Sequence, residues 1–340
     1  MLNYFRNLFI FPVVKKRLSS NLKTQKKTIL TSLEIEISAS RQTNDDSLNE
    51  HDFKKMTDYY GLAVPVMIGE SFCILRGKKM SESERLALTY LGGLTGLFDD
   101  FFDTKDMSDS YIKNLLRHPQ KIPGTNSAEK LILKLYLKAL DNSSDTEKLK
   151  RFSLDVYKAQ VLSKKQRNSE YCRKDINNIT LKKGGNSVLF YRCTFKEEIT
   201  DIESKLLYKL GGIWQIENDL LDVYKDYKDG INTLVTTESK IDNIRKLYIQ
   251  LFNELIDLLQ QTSYSLLNKK RFLENILLFI SIGHVALDVL EKNEKKTNGI
   301  FLPGKYKRKD LICDIEKPIN ILKIVHYFAK YNPSLQIQKL

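Results

Sequence analysis

The 340-residue sequence has few of the residues on which common catalytic and metal-binding motifs depend. It contains four cysteines and four histidines, and no two cysteines have C-x-x-C spacing. A zinc site or a disulfide framework is therefore not expected, and free thiols are typical of a reducing compartment. There is no G-x-S-x-G elbow, no G-x-x-x-x-G-K-[ST] loop and no G-x-G-x-x-G fingerprint. These absences argue against a serine hydrolase, a P-loop nucleotide-binding protein and a dinucleotide-binding protein.

Glycine and proline are also scarce, with 15 and 7 residues, while 42% of the residues are hydrophobic. This composition favours helices joined by short loops and is sufficient for a large core. No run of 18 or more uncharged apolar residues occurs. The longest apolar stretch, residues 276–290, contains His284 and Asp288, and it predicts a buried helix rather than a membrane span.

The net charge of +13 is unevenly distributed, because residues 1–33 carry seven basic and no acidic residues. No basic stripe with interleaved aromatic residues is present, so nucleic-acid binding is not expected. The segment begins with apolar residues around Pro12 and lacks a signal-peptide cleavage site. We predict a strap helix that packs on the body of the protein. The alternative is an interfacial anchor, with residues 1–27 in peripheral contact with a membrane surface.

The helical period becomes regular from about residue 51. Residues 39–50 are polar and predict a loop, so we divide the chain into an N-terminal segment, residues 1–50, and one helical domain, residues 51–340. Pro65 predicts a broken or kinked helix. The sequence Ser81-Glu82-Ser83-Glu84 predicts a capping box that begins the next helix. Gly92, Gly93 and Gly96 lie inside that helix, where close packing against a helix or a ligand would compensate for their low helix propensity.

One stretch, residues 211–230, reads GGIWQIENDLLDVYKDYKDG and contains a ladder of polar side chains. Asn218, Asp222 and Asp226 recur every four residues, and in a helix each step rotates by only about 40°, so all three line one face. Lys225 lies beside them. Oxygen donors next to an ammonium group are suited to Mg²⁺ and phosphate. A solvated charged helix face is the alternative.

A second acidic group precedes it in the chain, in the sequence LFDDFFD. Asp99, Asp100 and Asp103 lie close together at one helix end among aromatic residues. Three such carboxylates would repel one another unless cations neutralise them. Two helices with acidic ladders can face each other in a bundle, with metal ions between them.

Basic residues that could bind phosphate lie between the two acidic groups. The candidates are Arg173 and the pair Lys182 and Lys183, which precede Gly184-Gly185. The two glycines predict a helix break, where the N-terminus of a new helix would offer backbone N–H groups to an anion. Taken singly, each basic residue is equally compatible with surface charge.

These motifs resemble those of the class I isoprenoid synthases, which comprise terpene synthases, trans-prenyltransferases and squalene/phytoene synthases. The resemblance covers residues 55–300 and rests on the motifs and their order. Asp99, Asp100 and Asp103 match the first motif, D-D-x-x-D. In terpene cyclases the second motif is N-D-x-x-S/T-x-x-K-E/D, and here it reads N-D-L-L-D-V-Y-K-D, with Asp222 where a hydroxyl residue is usual.

The same segment is also similar to the prenyltransferase form F-Q-x-x-D-D-x-x-D, with Trp214 for Phe and Asn218 for the first Asp. The sequence KKGGNSVLF resembles the prenyltransferase lysine segment, and Arg173 stands where cyclases carry a diphosphate-sensing arginine. The chain departs from the elongating enzymes, because no G-K-x-x-R segment precedes the first motif. It also lacks the C-terminal R-Y pair common in cyclases and the D-x-D-D motif of class II cyclases.

The resemblance implies an all-α, single-domain antiparallel helical barrel around a central apolar cavity, with three Mg²⁺ ions and a prenyl diphosphate. It implies that the enzyme ionises an allylic prenyl diphosphate, as terpene synthases do. The alternatives are a prenyltransferase and a non-catalytic prenyl-diphosphate-binding protein. A cytoplasmic location is expected, and a homodimer is a further alternative. The implied metal ligands are Asp99, Asp100, Asp103, Asn218, Asp222 and Asp226, and the implied diphosphate ligands are Arg173, Lys183 and Lys225.

Overall fold

A computed structural model describes residues 2–103, 107–167 and 172–332, without the side chains of residues 2, 3 and 99–103. Those parts of the chain are helical and contain no strand, so the predicted all-α class is confirmed. In chain order the helices are α1 Leu2–Thr31, α2 Leu33–Gln42, α3 Glu50–Lys54, α4 Gly61–Ala63, α5 Glu70–Arg76, α6 Glu82–Asp103, α7 Asp109–Arg117, α8 Ser127–Asp141, α9 Thr146–Ser163, α10 Arg173–Arg192, α11 Asp201–Leu221, α12 Val223–Lys228, α13 Ile241–Gln261, α14 Leu266–Lys296, α15 Arg308–Leu311 and α16 Pro318–Tyr331.

The helices divide into two compact units, each built from separate stretches of chain. Unit A comprises Lys16–Val161 and Leu189–Ile199. Unit B comprises Met1–Lys15, Leu162–Val188 and Thr200–Leu340. The expected single helical domain over residues 51–340, set apart from residues 1–50, stays a prediction.

In unit A, the predicted irregularity at Pro65 takes the form of π-helical turns. One such turn spans Lys55–Tyr60 and a second spans Val64–Gly69. Proline lacks the N–H that an α-helix needs, and wider turns accommodate that loss. Gly92 of α6 packs directly against the backbone of Tyr60, so close helix packing explains this glycine.

The predicted capping box begins α6. The Ser81 backbone N–H donates to Glu84 Oε2 at 2.8 Å, and the Glu84 N–H donates to Ser81 Oγ at 3.2 Å. Glu84 also forms an ion pair with Arg76, at 2.6 Å, and Arg76 pairs with Glu197 at 2.7 Å. Both Arg76 and Glu84 are largely buried, so this network connects three segments of unit A.

Unit B is organised around α14, which packs against α11, α13 and α16. Among the described residues, α14 is the one helix long and apolar enough to cross a membrane, and 83% of its apolar window is buried within the chain. Most residues between 276 and 290 are buried, as expected from the sequence. Around it, α13 and α16 present their own apolar faces to the same core.

The helix break expected at Gly184-Gly185 is wrong. Helix α10 runs without interruption through both glycines, from Arg173 to Arg192. The glycines serve another purpose: Gly184 lies against the backbone of Gly211 in α11, and Gly185 lies against the ring of Tyr208. Side-chain-free positions on both helices let their backbones approach closely. The physical reason for the glycines is therefore a helix crossing, not a helix terminus.

This crossing predicts an asymmetric response to alanine substitution. A Cβ at Gly184 would overlap the carbonyl oxygen of Gly211, whereas a Cβ at Gly96 of α6 would meet its nearest atoms, in Lys55 and Tyr60, at 3.3 Å. We expect Gly184→Ala to lower the free energy of unfolding by about 1–3 kcal/mol. Gly96→Ala should stay within about 1 kcal/mol of the wild type, because the gain in helix propensity offsets mild crowding.

Denaturant unfolding followed by far-ultraviolet circular dichroism measures both effects. Equal stability of Gly184→Ala and the wild type would contradict the close crossing.

Candidate active site

The acidic ladder of residues 211–230 lies on two helices rather than one. Helix α11 ends at Leu221, and Asp222 leaves helical geometry with φ −96° and ψ 8° before α12 begins. Aspartate is a poor residue for a helix interior, because its short polar side chain competes for backbone hydrogen bonds. The expectation of one continuous helix is thus wrong at Asp222.

The break nevertheless preserves the four-residue register of the ladder. The backbone N–H groups of Asp222 and Asp226 donate to the carbonyls of Asn218 and Asp222, each at 2.9 Å. The side chains of Asn218 and Asp222 also touch, since Asn218 Nδ2 donates to Asp222 Oδ2 at 3.4 Å. Beyond the break, α12 packs against α15.

A polar cavity of about 70 Å³ lies in unit B beside this ladder. Helices α10, α11 and α12, the 3₁₀ turn Lys164–Arg167 and the segment after α12 contribute to its wall. Its described lining residues are mostly polar or charged: Gln166, Thr180, Lys183, Gln215, Asn218, Asp219, Asp226, Ile231 and Thr233. The structure therefore brings three predicted site residues, Lys183, Asn218 and Asp226, to one cavity.

Asp219 is the most deeply buried carboxyl group of the cavity, with 3% of the residue exposed. Its Oδ1 accepts a hydrogen bond from Gln215 Nε2 at 2.9 Å. Among the described residues its buried Oδ2 has no hydrogen-bond partner, and neither has Oγ1 of Thr180 in the same wall. Unpaired buried oxygen atoms are rare because each forfeits its solvation. Two in one cavity indicate that a ligand, an ion or water completes the site.

The electrostatics of the cavity also favour a bound cation. Burial raises the pKa of Asp219 to about 7, and the nearby charge of Asp226 adds to this effect. Burial likewise raises the pKa of Asp226 to about 7, with a further contribution from Asp222. The positive charge of Lys183 opposes both shifts. Carboxyl groups crowded in this way ionise readily only when more positive charge is present.

Lys183 reaches the cavity from α10, one residue before the glycine crossing. Its side chain is half-buried. Within the described part of the chain its ammonium group forms no ion pair, while it faces the cavity that contains Asp219 and Asp226. A half-buried ammonium group can bind an anion directly, because it supplies three N–H donors and a compact positive charge.

Three other predicted ligands, Asp222, Lys225 and Arg173, are not among the described lining residues of the cavity. Asp222 is half-buried and contacts Asn218, and Lys225 is exposed on α12. Arg173 begins α10 and forms an ion pair with the buried carboxylate of Glu238. Its role as a phosphate ligand therefore competes with a structural ion pair.

The first acidic group belongs to the end of α6 in unit A. The backbone of Asp99, Asp100 and Asp103 is helical, but their side chains lie outside the described residues. The same holds for the side chains of Phe101 and Phe102. Where side chains are described, no group of three or more His, Cys, Asp or Glu residues is spaced to hold a metal ion.

Reasoning from the sequence missed most of the cavity wall. Asp219 was part of the recognised motif but was not placed among the ligands, although its spacing of four from Gln215 gives a signal for their hydrogen bond. No sequence motif marks Gln166 or Thr233 as a site residue. Their segments are far apart in the chain and meet only in the folded protein, where the Asn232 N–H donates to the Gln166 carbonyl at 2.8 Å.

Comparisons with known proteins add nothing to this geometry: no protein-family model, no curated protein and no solved structure matches the chain. The resemblance to class I isoprenoid synthases consequently rests on the motifs alone and stays a prediction.

Glu217, next to the ladder, points into the core of unit B instead of the cavity. It accepts a hydrogen bond from the Tyr248 hydroxyl at 3.3 Å, and burial raises its pKa to about 8. A carboxyl group whose pKa is raised on folding binds more protons in the native state than in the unfolded state. Its contribution to stability is therefore complete at low pH and is lost as pH rises towards the folded pKa.

We expect the free energy of unfolding of Glu217→Gln to depend less on pH than that of the wild type. Relative to it, the wild type should lose roughly 1 kcal/mol of stability per pH unit between about pH 5 and pH 8. Urea unfolding at several pH values measures the difference. The control is Glu254→Gln, at a half-exposed carboxylate paired with Lys209 at 2.5 Å. Because this variant keeps Glu217, its stability should fall with pH as that of the wild type does. Parallel pH profiles of Glu217→Gln and the wild type would refute the buried neutral state of Glu217.

Proposed function

We propose that the protein is a Mg²⁺-dependent class I isoprenoid synthase that ionises an allylic prenyl diphosphate, as terpene synthases do. The observation that carries the proposal is the polar cavity of unit B. There Lys183, Asn218 and Asp226, which the motifs select independently, line one cavity with Asp219. One buried oxygen of Asp219 has no hydrogen-bond partner in the part of the chain that the structure describes. An all-α class I synthase fold is part of the proposal, as is a cytoplasmic location.

The residue types in the cavity fit Mg²⁺. Magnesium prefers oxygen ligands, and proteins bind it through one or two carboxylates while phosphate and water complete the coordination. Asp226 and Asp219 supply carboxylates, and Asn218 supplies an amide oxygen. When bound, Mg²⁺ would neutralise the diphosphate and polarise the oxygen atom that leaves. Asp222 would support Asn218 through their side-chain contact.

The ammonium group of Lys183 is suited to binding the diphosphate leaving group. In the proposed reaction the allylic C–O bond breaks heterolytically, its electron pair goes to the diphosphate, and an allylic carbocation remains. Lys183 would donate N–H groups to diphosphate oxygens, where negative charge grows in the transition state. Lys225 and Arg173 would join it only after side-chain movement, and for Arg173 this means leaving Glu238.

Within unit A, the end of α6 favours a role in cation binding for Asp99, Asp100 and Asp103. The C-terminal end of a helix carries partial negative charge, and acidic side chains there are unfavourable. This helix ends in the sequence DDFFD with no basic residue in its last turn. Bound cations would offset that repulsion, as in the cavity of unit B.

The proposal is tested by incubating the protein with prenyl diphosphates from C10 to C30 and either Mg²⁺ or Mn²⁺. Diphosphate release is assayed, and products are identified by mass spectrometry. We expect release with at least one chain length and none with EDTA. A hydrocarbon or alcohol product supports the synthase. A longer diphosphate formed when isopentenyl diphosphate is added supports the prenyltransferase alternative. Binding without turnover at every length would leave only a prenyl-diphosphate-binding protein.

Two neighbouring lysines provide a matched pair of variants. Lys183 lines the cavity, whereas Lys182 is exposed outside it. Lys183→Ala should reduce kcat/KM by about 10²–10³, the loss typical of a group that stabilises developing negative charge. Lys182→Ala should stay near wild-type activity. Asn218→Ala should also lose activity with unchanged helicity by circular dichroism. Equal activity of the two lysine variants would remove Lys183 from the site.

A further inference from the structure

The first half of α1 is held on unit B by one of its faces. The Tyr4 hydroxyl hydrogen-bonds His326 Nδ1 of α16 at 3.0 Å, and Asn7 Nδ2 donates to the Ala329 carbonyl at 2.9 Å. Phe11 and Phe328 contact edge to face, with ring centroids 5.4 Å apart. These contacts fix which side of this part of α1 faces outward, while the strap helix stays a prediction.

The outward face of this segment is apolar. Phe5, Phe9 and Val13 are 54%, 80% and 59% exposed. Their spacing of four rotates each by only about 40° from the last, so they form one stripe along the helix. Exposed aromatic side chains in a contiguous row are unusual on a free surface, and they mark interaction sites.

Basic side chains flank this stripe. Arg6 lies on one edge, about 100° around the helix from Phe5. Lys15 lies beyond the C-terminal end of the stripe, about 80° from Phe5 in the opposite direction and about 160° from Val13. Both are exposed. Residues 1–33 contain seven basic and no acidic residues. Within its own segment the charges beside the apolar stripe are all positive. Such a stripe complements a lipid surface, which is apolar inside and carries negative headgroups at its boundary.

Helix α16 also carries exposed apolar side chains. Ile319 and Leu322 are 60% and 65% exposed, and their spacing from His326 places all three on one side of α16. His326 contacts Tyr4, whose ring packs edge to face on Phe5. Exposed apolar side chains therefore flank this contact on both helices.

We infer that α1 and α16 form a docking face for an anionic lipid bilayer. Phe5, Phe9 and Val13 enter the boundary between headgroups and acyl chains, while Arg6 and Lys15 bind acidic headgroups. A second copy of the chain is a poor partner for this face, because it would bring two all-basic segments together. The inference does not depend on the proposed activity.

Co-sedimentation of the full chain with lipid vesicles tests the inference. Vesicles of phosphatidylcholine with phosphatidylserine should bind the protein, and pure phosphatidylcholine vesicles should bind it at least about tenfold less because the acidic lipid is missing. High salt should weaken binding. No binding to the acidic vesicles, or equal binding to both compositions, would overturn the inference.

Matched variants distinguish binding through the stripe from nonspecific hydrophobic adsorption. Phe5→Ser/Phe9→Ser should weaken vesicle binding by at least about tenfold, since two aromatic side chains no longer enter the interface. Leu30→Ser, at an apolar residue that is 67% exposed elsewhere on the chain, should bind as the wild type does. Equal losses in the two variants would overturn the inference.

The charged flank is tested with Arg6→Glu/Lys15→Glu against Lys246→Glu, a control at an exposed lysine of α13. Only the first variant should lose binding to acidic vesicles. Sedimentation velocity without lipid tests whether a second copy of the chain binds the stripe instead. A dimer that is abolished by Phe5→Ser/Phe9→Ser would assign the stripe to self-association and overturn the lipid assignment.

Discussion

The arrangement of the candidate site depends on one close contact, the crossing of α10 and α11 at Gly184 and Gly211. Because neither position carries a side chain, the two backbones approach closely enough for residues beside the crossing to share one cavity. Lys183 precedes the crossing on α10, and Asp219 follows it on α11. A larger side chain at either glycine would separate the ammonium group from the carboxylates that give the cavity its chemistry.

Buried carboxyl groups in the cavity repel one another, and a bound cation would reduce this repulsion. Asp219 and Asp226 are crowded and desolvated, and one oxygen of Asp219 has no hydrogen-bond partner within the described ranges. Natural cores seldom keep such groups without a functional reason, since each costs stability. Glu217 contrasts with them, because Tyr248 satisfies it inside the core. Adjacent carboxyl groups on one helix thus have different surroundings and different proposed roles.

Several features were predictable because they depend on neighbours in the chain. Helix periodicity gave the all-α class, and the capping box at Ser81 formed as its spacing predicts. The four-residue ladder of Asn218, Asp222 and Asp226 kept its register even though the helix breaks at Asp222. The glycine pair was misread as a helix break, because local propensity penalises glycine in helices and says nothing about a partner helix that needs the space.

The sequence by itself determined the helical class, the order of the acidic motifs and the positive charge of residues 1–33, since these follow from residue type and spacing. Only the tertiary structure decided that Asp219 is buried with an unpaired oxygen, that Arg173 pairs with Glu238, and that Phe5, Phe9 and Val13 face outward. The burial of a side chain and its hydrogen-bond or ion-pair partners depend on segments that are far apart in the chain. The spacing of residues along one segment does not show which other segments pack against it.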